Sequence, residues 1–320
     1  MRQLVTFFSL AAKNALTWVW NALSDFFLVE VTPLRAGILR IIFGCVLLAL
    51  VLLTAHNPAE FFTSNGAFPL DLQRPFAGDG AVSLFYWITD PALTVLLYWV
   101  MVASIIAFTL GFYPRAMLVI AWVLWLSFMQ RTPFITNGSD RVMRGLIFPL
   151  LFLDTSRALI PPFLQRFAPK EKKKTVPGWS IRVMQIQTAL VYTGAFFIKW
   201  PYPDWQDGSY FFQLLNNPNY SLIDGYWLHN WPIIVIFATY FALAGELLAA
   251  PFLFTLRTRK VMLAWLVAFH IGVLLFSNVV LFSWVMFAAL SVFLLDGEWE
   301  TIVRTGGLLL AKLRRRTMSA

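Results

Sequence analysis

Gln185, Thr188, Tyr192 and Lys199 recur at intervals of three, four and seven residues within an otherwise apolar stretch. On a helix that spacing puts all four on one face, with the lysine closing the stripe. A lysine set among apolar neighbours is a residue type that can serve as a base, provided it is held as the neutral amine. Its ordinary role at a membrane boundary is different. There the stem lies along apolar surface and the ammonium reaches water, helped by aromatic neighbours such as Trp200 and Tyr202. Both readings of Lys199 stand at this point.

Other ionisable residues sit in similarly apolar surroundings. Arg40 and Glu246 have opposite sign and fall at comparable depth in their segments, which predicts a structural ion pair between helices. His270 lies midway along an apolar run, where a histidine is either a hydrogen-bonded packing residue or a proton carrier. Arg131, Asp140, Arg141 and Arg144 cluster at the ends of two further runs. Asp140 and Arg144 are four apart, which predicts one ion pair and leaves the remaining arginines over. Cations left unpaired beside Lys199 would favour the neutral amine, so Asp140, Arg141 and Arg144 are candidate substrate-binding residues with Thr188 and Tyr192. Lys199 is then the candidate base, with His270 near its approach. Phosphate-binding glycine loops and paired-cysteine motifs are absent, and three scattered histidines with one cysteine argue against a metal site.

The elements that must carry these residues are membrane spans. The chain is 59% hydrophobic and 13% charged, with a mean hydropathy of +0.69, outside the usual soluble balance. A bilayer core of about 30 Å needs roughly 20 apolar residues in a helix. Runs of that kind cover 36–55, 91–113, 115–130, 142–154, 181–199, 232–256, 261–278 and 279–295, of which the third, fourth and eighth are short. Ionisable residues inside such runs cost on the order of 2.5–3.5 kcal/mol each, so each needs a partner or a task. The expectation is an all-α polytopic bundle of about eight transmembrane helices.

Orientation follows from the basic residues. Segment 155–182 holds seven lysines and arginines, and the link 256–260 holds three more. The loop 200–231 has none. With eight spans, both termini are cytoplasmic, and the net charge of +9 gathers on the inner face. Anionic membrane lipid is its natural partner, and no nucleic-acid role is needed. Thr6, Ser9, Lys13, Thr17, Asn21 and Ser24 recur at helical spacing opposite Phe, Leu, Val and Trp, which predicts that 1–32 is an amphipathic interfacial helix rather than a cleaved signal. Residues 33–296 form the transmembrane domain, and 297–320 a basic amphipathic cytoplasmic tail. The lone Cys45 excludes an intrachain disulfide.

These residues also carry a family likeness. The stretch from "LRIIFG" through "LGFYPRAMLVIAWVLWLSFMQRTPFITNGSDRVMRGLIFPLLFLD" resembles the horizontally transferred transmembrane (HTTM) domain of vitamin K-dependent gamma-carboxylases. The likeness continues in "YTGAFFIKWPYPDWQDGSYF", "LAGELLAAPFLFTLRTR" and "AFHIGVLLFSNVVLFSW", and covers roughly 33–296. It implies that Lys199 is the base that deprotonates a reduced quinone resembling vitamin K hydroquinone. It also implies counterparts for the family's intramembrane histidine at His270 and its acidic residue at Glu246. Asp140 stands where the family has a histidine, a departure that bears on this region. The chain further resembles bacterial proteins similar to sporulation-delaying protein B, which implies a bacterial cytoplasmic membrane and a secreted peptide or partner protein. Two functions follow as expectations: a quinol- or lipid-directed membrane enzyme, or a non-catalytic component of peptide maturation, export or immunity.

Overall fold

The computed structural model describes residues 2–78 and 80–318, and the side chains of residues 14, 16–78 and 80–308. The long helices are α1 (Arg2–Phe27), α2 (Pro33–Thr54), α5 (Pro91–Leu110), α6 (Pro114–Arg131), α7 (Gly138–Leu150), α8 (Trp179–Lys199), α11 (Pro232–Phe254), α12 (Arg259–Phe276), α13 (Val280–Ser291) and α14 (Asp296–Met318). Short helices α3 (Pro58–Phe62), α4 (Leu70–Gln73), α9 (Pro203–Gln206) and α10 (Tyr210–Asn216) lie in the connections. The only strands among the described residues, β1 (Glu30–Val31) and β2 (Val176–Pro177), form an antiparallel pair.

Five helices, α2, α5, α8, α11 and α12, are long and apolar enough to cross a membrane by length and composition. A sixth span results if the bent pair Val280–Ser291 and Asp296–Leu308, broken by 116°, is taken as one. Of the eight expected runs, three do not meet that standard as single helices. Arg115, Gln130 and Arg131 crowd the ends of α6 and leave its 18 residues less apolar than those of α12. Helices α7 and α13 have 13 and 12 residues, shorter than a bilayer core.

Local chemistry sets the helix ends. Thr32 caps α2, its hydroxyl oxygen accepting from Arg35 N at 3.3 Å, and Pro33 fits the first turn, where its missing N–H is no loss. Thr32 Oγ1 in turn donates to Asp296 at 2.8 Å, tying the start of α2 to the start of α14. The β1–β2 pair sets the N-termini of α2 and α8 side by side. Arg182 Nε donates to Phe26 O at 3.1 Å, and the Phe254 ring lies 5.9 Å from Phe26. One end of the bundle therefore collects the starts of α2, α8 and α12 and the end of α11, together with the buried Arg35 and Arg259. At the opposite end, Phe62, Phe85 and Tyr98 pack around Phe128 beneath the 56–90 connection.

Arg40 does not pair with Glu246. It is fully buried, and its guanidinium donates to four backbone carbonyls: Thr109 at 3.2 Å, Ala158 at 3.1 Å, Leu159 at 2.7 Å, and Thr155. The Thr109 carbonyl lies in the last turn of α5, where the helix dipole favours a cation. Arg40 thus pins the 155–159 turn against α5, and peptide dipoles take the place of a counter-ion. Where α2 meets α5, Gly44 allows the close approach: a Cβ there would lie 2.1 Å from Thr109 Oγ1.

The backbone of α1 runs as one helix to Phe27, and Leu16, Trp18 and Trp20 are exposed on it. The side chains of Thr6, Ser9 and Lys13, and the basic end at Lys312 and Arg314 to Arg316, fall outside the described residues.

Candidate functional site

Lys199 ends α8, and its ammonium forms an ion pair with Glu246 Oε1 on α11. The two helices run antiparallel, and each Cα–Cβ bond leans toward its own N-terminus. Lys199 therefore leans back into the bundle while Glu246 leans to meet it. The glutamate side chain is nearly inaccessible, whereas the lysine is 28% exposed. Above the pair, the Trp205 ring stands 4.9 Å from Lys199 Nζ and stacks on Tyr210 at 3.9 Å. A cation over an indole face gains from the ring quadrupole, so the lysine is held from both sides.

Lys199 is not at the outer limit of the bundle. After α8 the chain turns and lies along the first half of α11: Trp205 packs on Ala242 and Leu243. Phe211 N donates to Thr239 Oγ1 at 3.1 Å, and Tyr240 Oη donates to Gln206 O at 2.5 Å. Helix α11 thus extends past the end of α8, with α9 and α10 filling the space beside it. That offset brings a residue at the end of one helix to one well inside the other.

Directly behind the pair, Tyr192 Oη and His270 Nε2 lie 2.9 Å apart in a fully buried contact between α8 and α12. Which of them donates depends on the imidazole tautomer. Lys199 lies close enough to His270, and Glu246 to Tyr192, for each charge to act on the other group. Two buried atoms of this cluster have no hydrogen-bond partner, Glu246 Oε2 and His270 Nδ1. Four groups able to carry a proton are thus assembled, with unfilled hydrogen-bonding capacity at two of them.

Not all the residues expected at this site are there. Thr188 donates its hydroxyl to Met184 O at 2.8 Å within its own helix. Gln185 is structural: it donates to Val292 O at 2.9 Å and accepts from Arg182 at 3.0 Å. Asp140, Arg141 and Arg144 line a different cavity of about 220 Å³, walled by residues 76–77, α6, the 133–136 turn and α7. The expected concentration of cations around Lys199 is therefore replaced by a single charge of opposite sign, Glu246. The expected Asp140–Arg144 ion pair is also not formed. Asp140 is the third residue of a capping box, accepting from Asn137 N at 2.8 Å while Asn137 Oδ1 accepts from Ser139 N at 2.8 Å. A local cap costs no long side-chain ordering, and it wins over a flexible arginine.

The partnership of Lys199 with Glu246 was the main feature missed from sequence. Its signal was present, since opposite charges on consecutive long apolar segments each need neutralising. Depth counting from the segment ends hid it. No group of His, Cys, Asp and Glu suited to a metal occurs among the described residues.

The family model for the HTTM domain matches residues 30–299 of this chain. No curated protein and no solved structure matches it.

Proposed function

This chain belongs to the HTTM domain family and is a multi-pass integral membrane protein, and from that premise we propose that it acts on a quinol- or lipid-like substrate through the Lys199 cluster. The observation that carries the reading is the buried assembly of Lys199, Glu246, Tyr192 and His270, with Glu246 Oε2 and His270 Nδ1 unpartnered. Buried polar atoms are normally satisfied, and two unpartnered atoms within one cluster suit a ligand that brings hydroxyls with it. A reduced quinone of the vitamin K hydroquinone type has that character, and supplies an acidic hydroxyl and an electron-rich ring. In the ion pair Lys199 carries its proton, so it acts as a base only once that proton has passed to Glu246; Nζ then accepts a hydroxyl proton, and the protonated Glu246 carboxyl stays beside the ammonium so formed. Tyr192 and His270 orient the second polar end, and Trp205 with Tyr210 excludes water from above. Membership of the family, and its likeness to the carboxylase membrane domain, supports the same assignment. In this reading eight apolar segments cross the bilayer, α7 and α13 together with the non-helical residues that flank them, with the basic face cytoplasmic and the membrane that of a bacterial cell.

One observation favours a second reading, a non-catalytic component that works with a secreted peptide or partner protein. Lys199 and Glu246 neutralise each other and staple α8 to α11, which is a sufficient reason for both. Lys199→Arg separates the two. Arginine retains the ion pair with Glu246 but stays protonated and cannot act as a base. The assay is turnover of reduced menaquinone or vitamin K hydroquinone in proteoliposomes, alongside mass spectrometry of co-purified quinones. Loss of turnover in a Lys199→Arg protein that melts like the parent supports the base. Full activity of that variant excludes it.

A further inference from the structure

The cavity of about 220 Å³ at the start of α7 has its own chemistry and does not depend on the Lys199 reading. Arg141 and Arg144 are exposed on its wall, and among the described residues neither guanidinium is held in a hydrogen bond or ion pair, although Arg144 lies near enough to Asp140 for its charge to act on the carboxylate. Asp140, only 4% exposed, lines the same space with Oδ1 unpartnered, its other oxygen being spent on the helix cap. Trp125, 1% exposed with its indole N–H unpartnered, is also among the lining residues. A buried carboxylate oxygen without a donor is costly, and so is a buried N–H without an acceptor. The residues lining the cavity therefore bring two cations outside any ion pair, one carboxylate oxygen without a donor and one indole N–H without an acceptor, with apolar side chains at Phe76 and Met129.

We propose that this cavity binds the headgroup of a monoanionic phospholipid that carries a hydroxyl, of the phosphatidylglycerol type. Arg141 and Arg144 hold the phosphodiester, whose planar partners they are suited to be. Asp140 Oδ1 accepts the hydroxyl, and Trp125 Nε1–H donates to a headgroup oxygen. The formal charges sum to one positive (two arginines less one aspartate), which one phosphodiester neutralises. A zwitterionic headgroup leaves that charge in excess, and an anionic headgroup without a hydroxyl leaves Asp140 unfilled. A lipid rather than a free phosphate is favoured by place. The site lies at the ends of α6 and α7, beside the apolar surface where headgroups meet a bundle of this kind.

The test uses the whole protein, stripped of lipid in detergent, and native mass spectrometry with three probes. Phosphatidylglycerol and phosphatidylethanol have equal charge and, with matched chains, differ in the hydroxyls. Free glycerol 3-phosphate has the headgroup without tails. Phosphatidylglycerol should bind about tenfold tighter than phosphatidylethanol, the worth of one hydrogen bond to a charged group. Arg141→Gln with Arg144→Gln should weaken both lipids at least tenfold; both positions are exposed, so the fold tolerates the change. Asp140→Asn keeps an oxygen for the cap and should abolish the preference between the two lipids while binding of each persists. Equal affinity for the two lipids in the parent overturns the proposal, as does indifference to the double arginine change. Glycerol 3-phosphate binding as tightly as the lipid overturns the lipid assignment.

Discussion

Replacing Arg40 by methionine removes one cation and strips the donor from four carbonyls, those of Thr109, Thr155, Ala158 and Leu159. A buried acceptor left unsatisfied costs about 1–3 kcal/mol. Parts of the surroundings reach the surface of the bundle, so the lower figure applies, and four carbonyls then cost about 4 kcal/mol. Methionine matches the length of the stem, so little of the loss comes from packing. A change of 1 kcal/mol moves the melting temperature by about 2–4 °C in a domain of up to about 250 residues. Arg40→Met should therefore lower the Tm of the detergent-solubilised protein by about 8 °C or more. Arg40→Lys keeps the charge but brings three donors on a flexible stem in place of a rigid fork, and should fall between. The informative variant is Arg40→Met combined with Glu246→Met. The two residues share no partner, so their effects should add, and the second change should give no rescue. Recovery of stability in the double variant would refute the carbonyl cage and restore a direct Arg40–Glu246 pair. An Arg40→Met protein within 2 °C of the parent would refute the magnitude, since a shift that small corresponds to about 1 kcal/mol at most.

Three further outcomes follow from the geometry. Gly44→Ala places a methyl 2.1 Å from Thr109 Oγ1 and should destabilise by roughly 1–3 kcal/mol in thermal melts, with Thr109→Ala recovering at least half. Tyr192→Phe leaves His270 without its ring partner and should cost about 1–3 kcal/mol; Tyr192→Phe with His270→Phe should cost less than the sum of the single changes. In a Cys45→Ala background, cysteines at Ser64 and Asn219 should react with an impermeant thiol reagent applied to intact cells, whereas one at Thr175 should not. Labelling at position 175 would reverse the orientation derived from the basic segments.

Composition and periodicity determine the class of this protein, because a bilayer imposes a local rule. Apolar runs must be helical and long, and each can be read without reference to its neighbours. The family likeness is legible for a related reason, since ordered motifs at matched spacing survive as sequence. The stripe of Tyr192 and Lys199 on one face and the isolation of His270 were likewise open to local reading. Span lengths were harder to read, because helix ends are set by turns and caps: α7 and α13 stop short where the chain bends.

Only the tertiary structure decided which charge meets which. Arg40 and Glu246 looked complementary by sign and depth, yet carbonyls from a turn more than a hundred residues away and from the end of α5 solvate Arg40 instead. Glu246 was left for Lys199 because α9 and α10 lie beside α11 and shift α8 along it, an offset that no spacing within either helix records. The same holds at the start of α7. Asp140 chose its own backbone over an arginine one turn away, which left a buried oxygen without a donor beside two cations held in no ion pair. Electrostatic partners inside a bundle depend on relative helix height and on loop packing, and those are properties of the assembled fold.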